Sequence, residues 1–126
     1  MKLLAASFAA LLLAGSAAAA SPHPCEADAR ARAPKLLKAQ WDMEGAGLAS
    51  KPGAPVEGSP DMAWDLSPDV TILAPIANPS GTGKYDVIEL TAYVYKAEYR
   101  LRFLYAQIPD ACALMGEESL DLSDPY

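Results

Sequence analysis

Hydrophobic and polar residues alternate most regularly in the second half of the chain, where they predict two β-strands. From Asp86 to Lys96, and again from Tyr99 to Ile108, nearly every second residue is apolar, which is the period of a strand with one buried face. We expect a hairpin that turns about Ala97–Glu98, because this register gathers the apolar positions of both strands on one face. It pairs Val94 with Leu101, Ala92 with Phe103, and Leu90 with Tyr105.

The opposite face of this hairpin is the one place where the sequence predicts a surface with recognition chemistry. The same register sets Tyr93 opposite Arg102 and Tyr95 opposite Arg100. Aromatic and guanidinium groups can stack, and both are enriched where proteins bind one another. Two interpretations stay open: cross-strand stabilisation of an exposed sheet face, or a partner-binding face made by Tyr93, Tyr95, Arg100 and Arg102.

A helical period precedes the strands. Apolar residues recur at spacings of three and four between Cys25 and Trp41, which predicts an N-terminal helix with one buried side. The acidic residues early in the segment and the basic residues late in it suit the helix dipole. Pro34 lacks a backbone donor, so it predicts either a kink or two short helices that meet there.

The remaining segments predict a long loop and further strands. Glycine and proline are frequent from Asp42 to Pro60 and no apolar period survives, which indicates a loop at 42–60. A strand is expected near Val70–Ala74, with a less regular one before Ser67–Pro68. Another begins at Ala111–Met115, and Leu120–Leu122 extends it.

These elements together predict one α+β domain. Its N-terminal helix, with Pro34 as the expected kink, packs on one face of an antiparallel sheet of three to five strands. The order of one helix followed by an antiparallel meander resembles the cystatin-like architecture. That resemblance concerns element order alone and implies no residue roles, because a fold does not determine a function.

The first 20 residues have the pattern of a secretory signal peptide. Lys2 precedes a short apolar run that ends at Gly15–Ser16, and Ala18 and Ala20 offer small residues to signal peptidase. We therefore expect cleavage between Ala20 and Ser21, a mature domain of residues 21–126, and an exported protein, periplasmic or secreted. The apolar run is too short for a membrane span, so we expect no stable membrane anchor after cleavage.

Composition narrows the classes of partner. The chain carries a net charge of −6, and loss of Lys2 with the signal peptide makes it −7. Such a charge repels nucleic acid, so no nucleic-acid partner is expected and a basic protein partner is favoured. Simple solubility also accounts for an acidic surface.

Cys25 and Cys112 are the chain's two cysteines, and both lie in the expected mature part. An oxidising compartment favours a disulfide between them. A metal site or a reactive thiol is the alternative, but no neighbouring histidine or cysteine completes such a site.

No catalytic set is evident in the sequence. The single histidine, His23, lies between two prolines near the expected new N-terminus, where we expect it to be exposed and inert. Without a cofactor or metal motif, the sequence favours an exported, non-catalytic binding or structural protein with a partner in the cell envelope. The alternative is a small-ligand carrier or an enzyme whose apolar pocket lies between helix and sheet and is lined by Trp41, Leu90, Phe103 and Tyr105.

Overall fold

A computed structural model describes residues 22–43, 47–53, 58 and 61–123 of the chain. It contains one helix and four strands: α1 (Glu26–Met43), β1 (Trp64–Ala77), β2 (Lys84–Val94), β3 (Ala97–Ala106) and β4 (Leu114–Asp121). The strands form one antiparallel sheet in the order β1-β2-β3-β4. The predicted α+β class is therefore confirmed. The predicted signal peptide, residues 1–20, lies outside the described residues.

The core lies between α1 and one face of the sheet. Ala29, Ala33 and Leu37 recur every four residues along α1 and are almost completely buried, as expected for one stripe of a helix. They form one cluster with every second residue of β2 and β3, namely Ile88, Leu90, Ala92, Val94, Tyr99, Leu101, Phe103 and Tyr105. In the described part of the chain, α1 is the one helix and it packs on this face, so we call the opposite sheet face the open face.

The helix continues through Pro34 as one element, so the alternative of two short helices is wrong. A kink at Pro34 stays a prediction. Ion pairs between residues four apart support the helix surface, among them Glu26 with Arg30 and Asp28 with Arg32. Arg30 also donates to the carbonyl oxygens of Ser67 and Pro68 in β1, which ties the helix to the first strand.

β1 is one long strand where the sequence predicted a strand near Val70–Ala74 and another before it. Its register against β2 shifts between Leu66 and Val70, around Pro68, and again between Leu73 and Ile76. Proline cannot donate to a neighbouring strand, but an edge strand can accommodate it at such irregularities. The prolines therefore coincide with shifts in the pairing register, but they do not end the strand.

The β2–β3 hairpin turns two residues earlier than predicted. Val94 pairs with Ala97, so Tyr95 and Lys96 form the turn, and Leu90 pairs with Leu101. The predicted pairs Tyr93–Arg102 and Tyr95–Arg100 are therefore wrong. Tyr93 lies opposite Glu98, Arg100 opposite Thr91, and Arg102 opposite Glu89. The error is an even number of residues, so residues that stay in the two strands keep their predicted faces, and Tyr95 moves from the strand into the turn. The hydrophobic pattern alone cannot detect such a slip.

Cys25 and Cys112 form a disulfide, with 5.6 Å between their Cα atoms, as predicted from the sequence. The bond joins the residue before α1 to the segment that leads into β4. Since 87 positions separate the two cysteines, the bridge fixes the start of the helix against the far end of the sheet.

The described parts of the predicted 42–60 loop lie along the start of β1. Leu48 and Gly53 form isolated bridges with Met62 and Trp64, and Trp64 Nε1 donates to the Ala49 carbonyl oxygen at 2.7 Å. Residues 44–46, 54–57 and 59–60 of this loop lie outside the described residues.

Candidate binding surface

Three of the four predicted partner-binding residues lie on the open face, and the fourth lies at its edge. Tyr93 on β2 and Arg100 and Arg102 on β3 project from this face, whereas Tyr95 lies in the turn that joins the two strands. The structure therefore brings these side chains to the same half of the sheet without the predicted Tyr–Arg pairing.

The middle of the open face carries a charge network that the sequence analysis missed. Glu89 is only 7% exposed, and its carboxylate accepts a 2.7 Å hydrogen bond from Arg102 Nε. Arg100 lies 3.8 Å from the same carboxylate, and Arg102 Nη1 also donates to Glu118 at 3.2 Å. The hydrogen bond to Glu89 raises the pKa of Arg102.

This network assigns the two arginines an internal role. A buried carboxylate without a cation is costly, so Arg102 is needed where it stands. The register shift explains why the sequence analysis missed this: the predicted hairpin placed Arg102 against Tyr93 and not against Glu89. Of the four predicted residues, Tyr93 and Tyr95 are consequently more available to a partner than Arg100 and Arg102.

Tyr95 is the most exposed large apolar residue of the described chain, at 74%, and Tyr93 follows on the same hairpin at 45%. Tyr95 has a φ of 54°, a left-handed conformation that bulky residues rarely adopt. Lys96 Nζ lies 5.4 Å from the centre of the Tyr95 ring, within the range of a cation–π contact. The turn thus presents an aromatic ring to solvent in a strained backbone.

Tyr95 lines two surface depressions. The first, the turn groove, has a volume of about 350 Å³ and is lined by Gly53, Ala63, Trp64, Asp65, Tyr93 and Tyr95. The second, the turn cleft, has a volume of about 390 Å³, and its lining includes Trp41, Met62, Tyr95 and Lys96. An exposed ring that lines two concave regions is a suitable anchor for a partner, because interface energy concentrates in such aromatic residues.

His23 lies at the end of the sheet away from the β2–β3 turn. We expected it to be exposed and inert, and the prediction of exposure is wrong. Its side chain is 14% exposed. Nδ1 accepts a hydrogen bond from the Cys25 backbone N–H at 3.0 Å, and Nε2 contacts Asp86 Oδ2 at 2.8 Å. With Nδ1 as the acceptor, the network assigns the proton to Nε2 as the donor to Asp86.

These contacts give His23 an anchoring role. Gln107 Nε2 donates to the other Asp86 oxygen at 2.8 Å, and the hydrogen bonds from Gln107 and then His23 lower the pKa of Asp86. A cavity of about 610 Å³ lies beside this group and the disulfide. Both ring nitrogens of His23 are engaged, so neither is available as a general base in this arrangement.

The residues predicted to line a pocket between helix and sheet are core residues. Leu90, Phe103 and Tyr105 are fully buried, and the Tyr105 hydroxyl donates to Asp28 at 2.7 Å. Burial, followed by this hydrogen bond, raises the pKa of Tyr105. Trp41 is the one of the four that reaches a surface depression, the turn cleft.

Among the described residues, no group of three or more histidine, cysteine, aspartate or glutamate side chains is placed to hold a metal ion. No helix in the described ranges has the length and apolar character needed to cross a membrane.

Comparison of the chain with protein-family models, curated proteins and solved structures found no match.

Proposed function

We propose that this protein is an exported, non-catalytic binding protein that engages a protein partner of the cell envelope through the β2–β3 turn. The observation that supports the proposal most directly is Tyr95, which is 74% exposed at a φ of 54°. Glycine or asparagine would occupy this backbone conformation with less strain. A strained and exposed aromatic residue is typical of a functional position.

The export part of the proposal rests on two features. The N-terminal 20 residues have the signal-peptide pattern, with the expected cut before Ser21. The Cys25–Cys112 disulfide is consistent with an oxidising, exported location. If the source has two membranes, the periplasm is the expected compartment.

The alternative of a small-ligand carrier or enzyme has less support at the place where the sequence suggested it. Leu90, Phe103 and Tyr105 fill the space between α1 and the sheet, with no exposure to solvent. A ligand there would have to displace packed side chains, which cores resist.

Affinity capture with a matched pair of variants tests the proposal. Tyr95→Asn removes the ring and retains a residue type that tolerates a positive φ. Ile108→Asn removes an apolar side chain of comparable exposure, 51%, near the opposite end of the sheet. We expect immobilised wild type and Ile108→Asn to retain the same partner from a cell-envelope extract, and Tyr95→Asn to lose it. Retention of that partner by folded Tyr95→Asn, with wild-type affinity, would refute the proposal.

A further inference from the structure

We infer that the turn groove receives a cationic side chain, an arginine or a lysine, from the protein partner. This inference rests on the proposed function and specifies the chemistry of the partner's contact residue. Two tyrosine rings and Asp65 line the groove, and Glu98 lies opposite Tyr93 on the neighbouring strand.

The walls of the groove are suited to a cation. Tyr93 and Tyr95 both line it, and both rings are well exposed. An ammonium or guanidinium group is attracted to the face of a tyrosine ring within about 6 Å. The chain already shows this chemistry, because Lys96 Nζ lies 5.4 Å from the Tyr95 ring centre. Lys96 lines the turn cleft and is not part of the turn groove lining.

Two carboxylates flank Tyr93. In the register of the sheet, Asp65 of β1 and Glu98 of β3 are the direct partners of Tyr93 on its two sides. Direct partners project from the same sheet face, on strands about 4.8 Å apart. Asp65 also lines the groove itself. A cation above Tyr93 therefore lies between two negative charges.

Within the described part of the chain, neither Asp65 nor Glu98 forms an ion pair. One oxygen of Asp65 accepts from the Leu66 backbone N–H at 2.8 Å, and among the described residues the other oxygen has no hydrogen-bond donor. Lys96 and Arg100 each lie two residues from Glu98 in the sequence. Lys96 Nζ lies over the Tyr95 ring, and Arg100 lies 3.8 Å from the Glu89 carboxylate. Among the described residues, the lining of the groove is consequently acidic and aromatic and includes no basic side chain.

The charge network on the same face shows the opposite arrangement. There, Glu89 and Glu118 are both paired with Arg102, and Arg100 adds a second cation beside Glu89. The chain thus neutralises the carboxylates in the middle of the open face and leaves those beside Tyr93 without a cation. A basic residue of a partner would supply a cation to the carboxylates beside Tyr93. The net charge of −6 of the whole chain also favours a basic partner.

A matched pair of probe peptides tests the charge requirement. The first is a nine-residue glycine–serine peptide with three arginines, and the second carries citrulline, the uncharged isostere, at the same three positions. We expect the arginine peptide to shift the backbone amide resonances of Asp65, Tyr93, Tyr95 and Glu98 in the intact mature protein, and the citrulline peptide to leave them in place. Equal binding of the two peptides would overturn the inference.

Isosteric variants of the protein localise the charge effect. Asp65→Asn and Glu98→Gln should each weaken binding of the arginine peptide about two- to five-fold, the effect of one exposed ion pair, and the double variant more. Asp110→Asn is the control, because it removes one charge at an exposed position near the opposite end of the molecule. If the double variant binds the arginine peptide no more weakly than this control, the inference fails.

The same variants separate this inference from the proposed function. If Tyr95→Asn loses the captured partner while Asp65→Asn/Glu98→Gln retains it with wild-type affinity and salt dependence, the turn is a docking site but the cation inference is wrong. If Tyr95→Asn retains the partner, the proposed function fails as well. Loss of the partner in both variants, with Asp110→Asn unaffected, supports both statements.

Discussion

At the scale of single residues, Tyr95 combines an unfavourable backbone conformation with high exposure. A left-handed conformation costs a non-glycine residue about 1 to 2 kcal/mol. The contact of Lys96 with the ring offsets part of this cost, by about 0.5 to 1 kcal/mol at an exposed site. The fold therefore gains little or nothing from the tyrosine at this position.

Replacing Tyr95 by asparagine should consequently leave stability almost unchanged. We expect the free energy of unfolding of Tyr95→Asn to stay within about 1 kcal/mol of wild type, because the relief of strain offsets the lost Lys96 contact. Urea unfolding followed by circular dichroism measures this difference. A loss of more than about 2 kcal/mol would show that the ring stabilises the fold and would weaken its assignment to binding.

Asp86 should make stability depend on pH. Hydrogen bonds from Gln107 and His23 hold its pKa below the ordinary value in the folded chain. A carboxyl with a lower pKa in the folded state contributes stability that is present above its unfolded pKa, about 3.9, and lost as the pH falls through its folded-state pKa.

The variant Asp86→Asn tests this linkage. An amide offers one acceptor to the two donors, so we expect a loss of about 1 to 2 kcal/mol at pH 7. The difference from wild type should shrink as the pH falls below about 4, and unfolding titrations at pH 7 and pH 3 measure it. A difference that is the same at both values would contradict the account of Asp86. Asp69→Asn, at an exposed position on β1, controls for the change in charge.

At the scale of elements, the disulfide links the start of α1 to the end of the sheet that lies away from the β2–β3 turn. For a separation of 87 residues, the chain-entropy account gives a stabilisation of about 4 to 5 kcal/mol. We expect the double variant Cys25→Ser/Cys112→Ser to lose about 2 to 5 kcal/mol of unfolding free energy, measured with urea. A loss below about 1 kcal/mol would mean that His23 and the core hold this end without the bridge.

The sequence predicted the secondary-structure elements more accurately than the pairing between strands. Alternation identified both strands of the β2–β3 hairpin and the buried face with Leu90 and Leu101, because a strand's period is a local property. It could not fix the register, since turns at Tyr95–Lys96 and at Ala97–Glu98 give the same faces. Neither turn contains the glycine or asparagine that would have marked the position.

The site residues that the sequence missed depend on distant partners. Glu89 alternates with apolar residues as an exposed strand position would, but it is buried and paired with Arg102 on the next strand. His23 is separated by 63 positions from Asp86, so nothing near it in the sequence indicates the contact. Such pairings are properties of the tertiary fold, and a pattern read along one segment does not contain them.

At the scale of the whole molecule, one helix covers one sheet face and the other face stays open. The open face is divided along its length: a balanced charge network in the middle, and carboxylates with exposed tyrosines at the turn end. A cavity of about 610 Å³ and the disulfide lie near the other end. This division separates the groups that stabilise the fold from those available to a partner.

Export remains a prediction for the whole molecule, and the mature N-terminus tests it. We expect protein recovered from the periplasm of a bacterial host to begin at Ser21, because Ala18 and Ala20 suit signal peptidase. Intact-mass analysis measures this. A membrane-retained form that still carries Met1 would contradict it.

The central claim, that the turn end of the sheet is the docking surface, is tested most directly by photo-crosslinking in living cells. A benzophenone amino acid would be placed in turn at positions 65, 93, 95 and 98, and at positions 69 and 108 as exposed controls. The account predicts crosslinks to one common partner from the four turn-end positions and none from the controls. Crosslinks to a partner from positions 69 and 108, with none from 93 and 95, would contradict it.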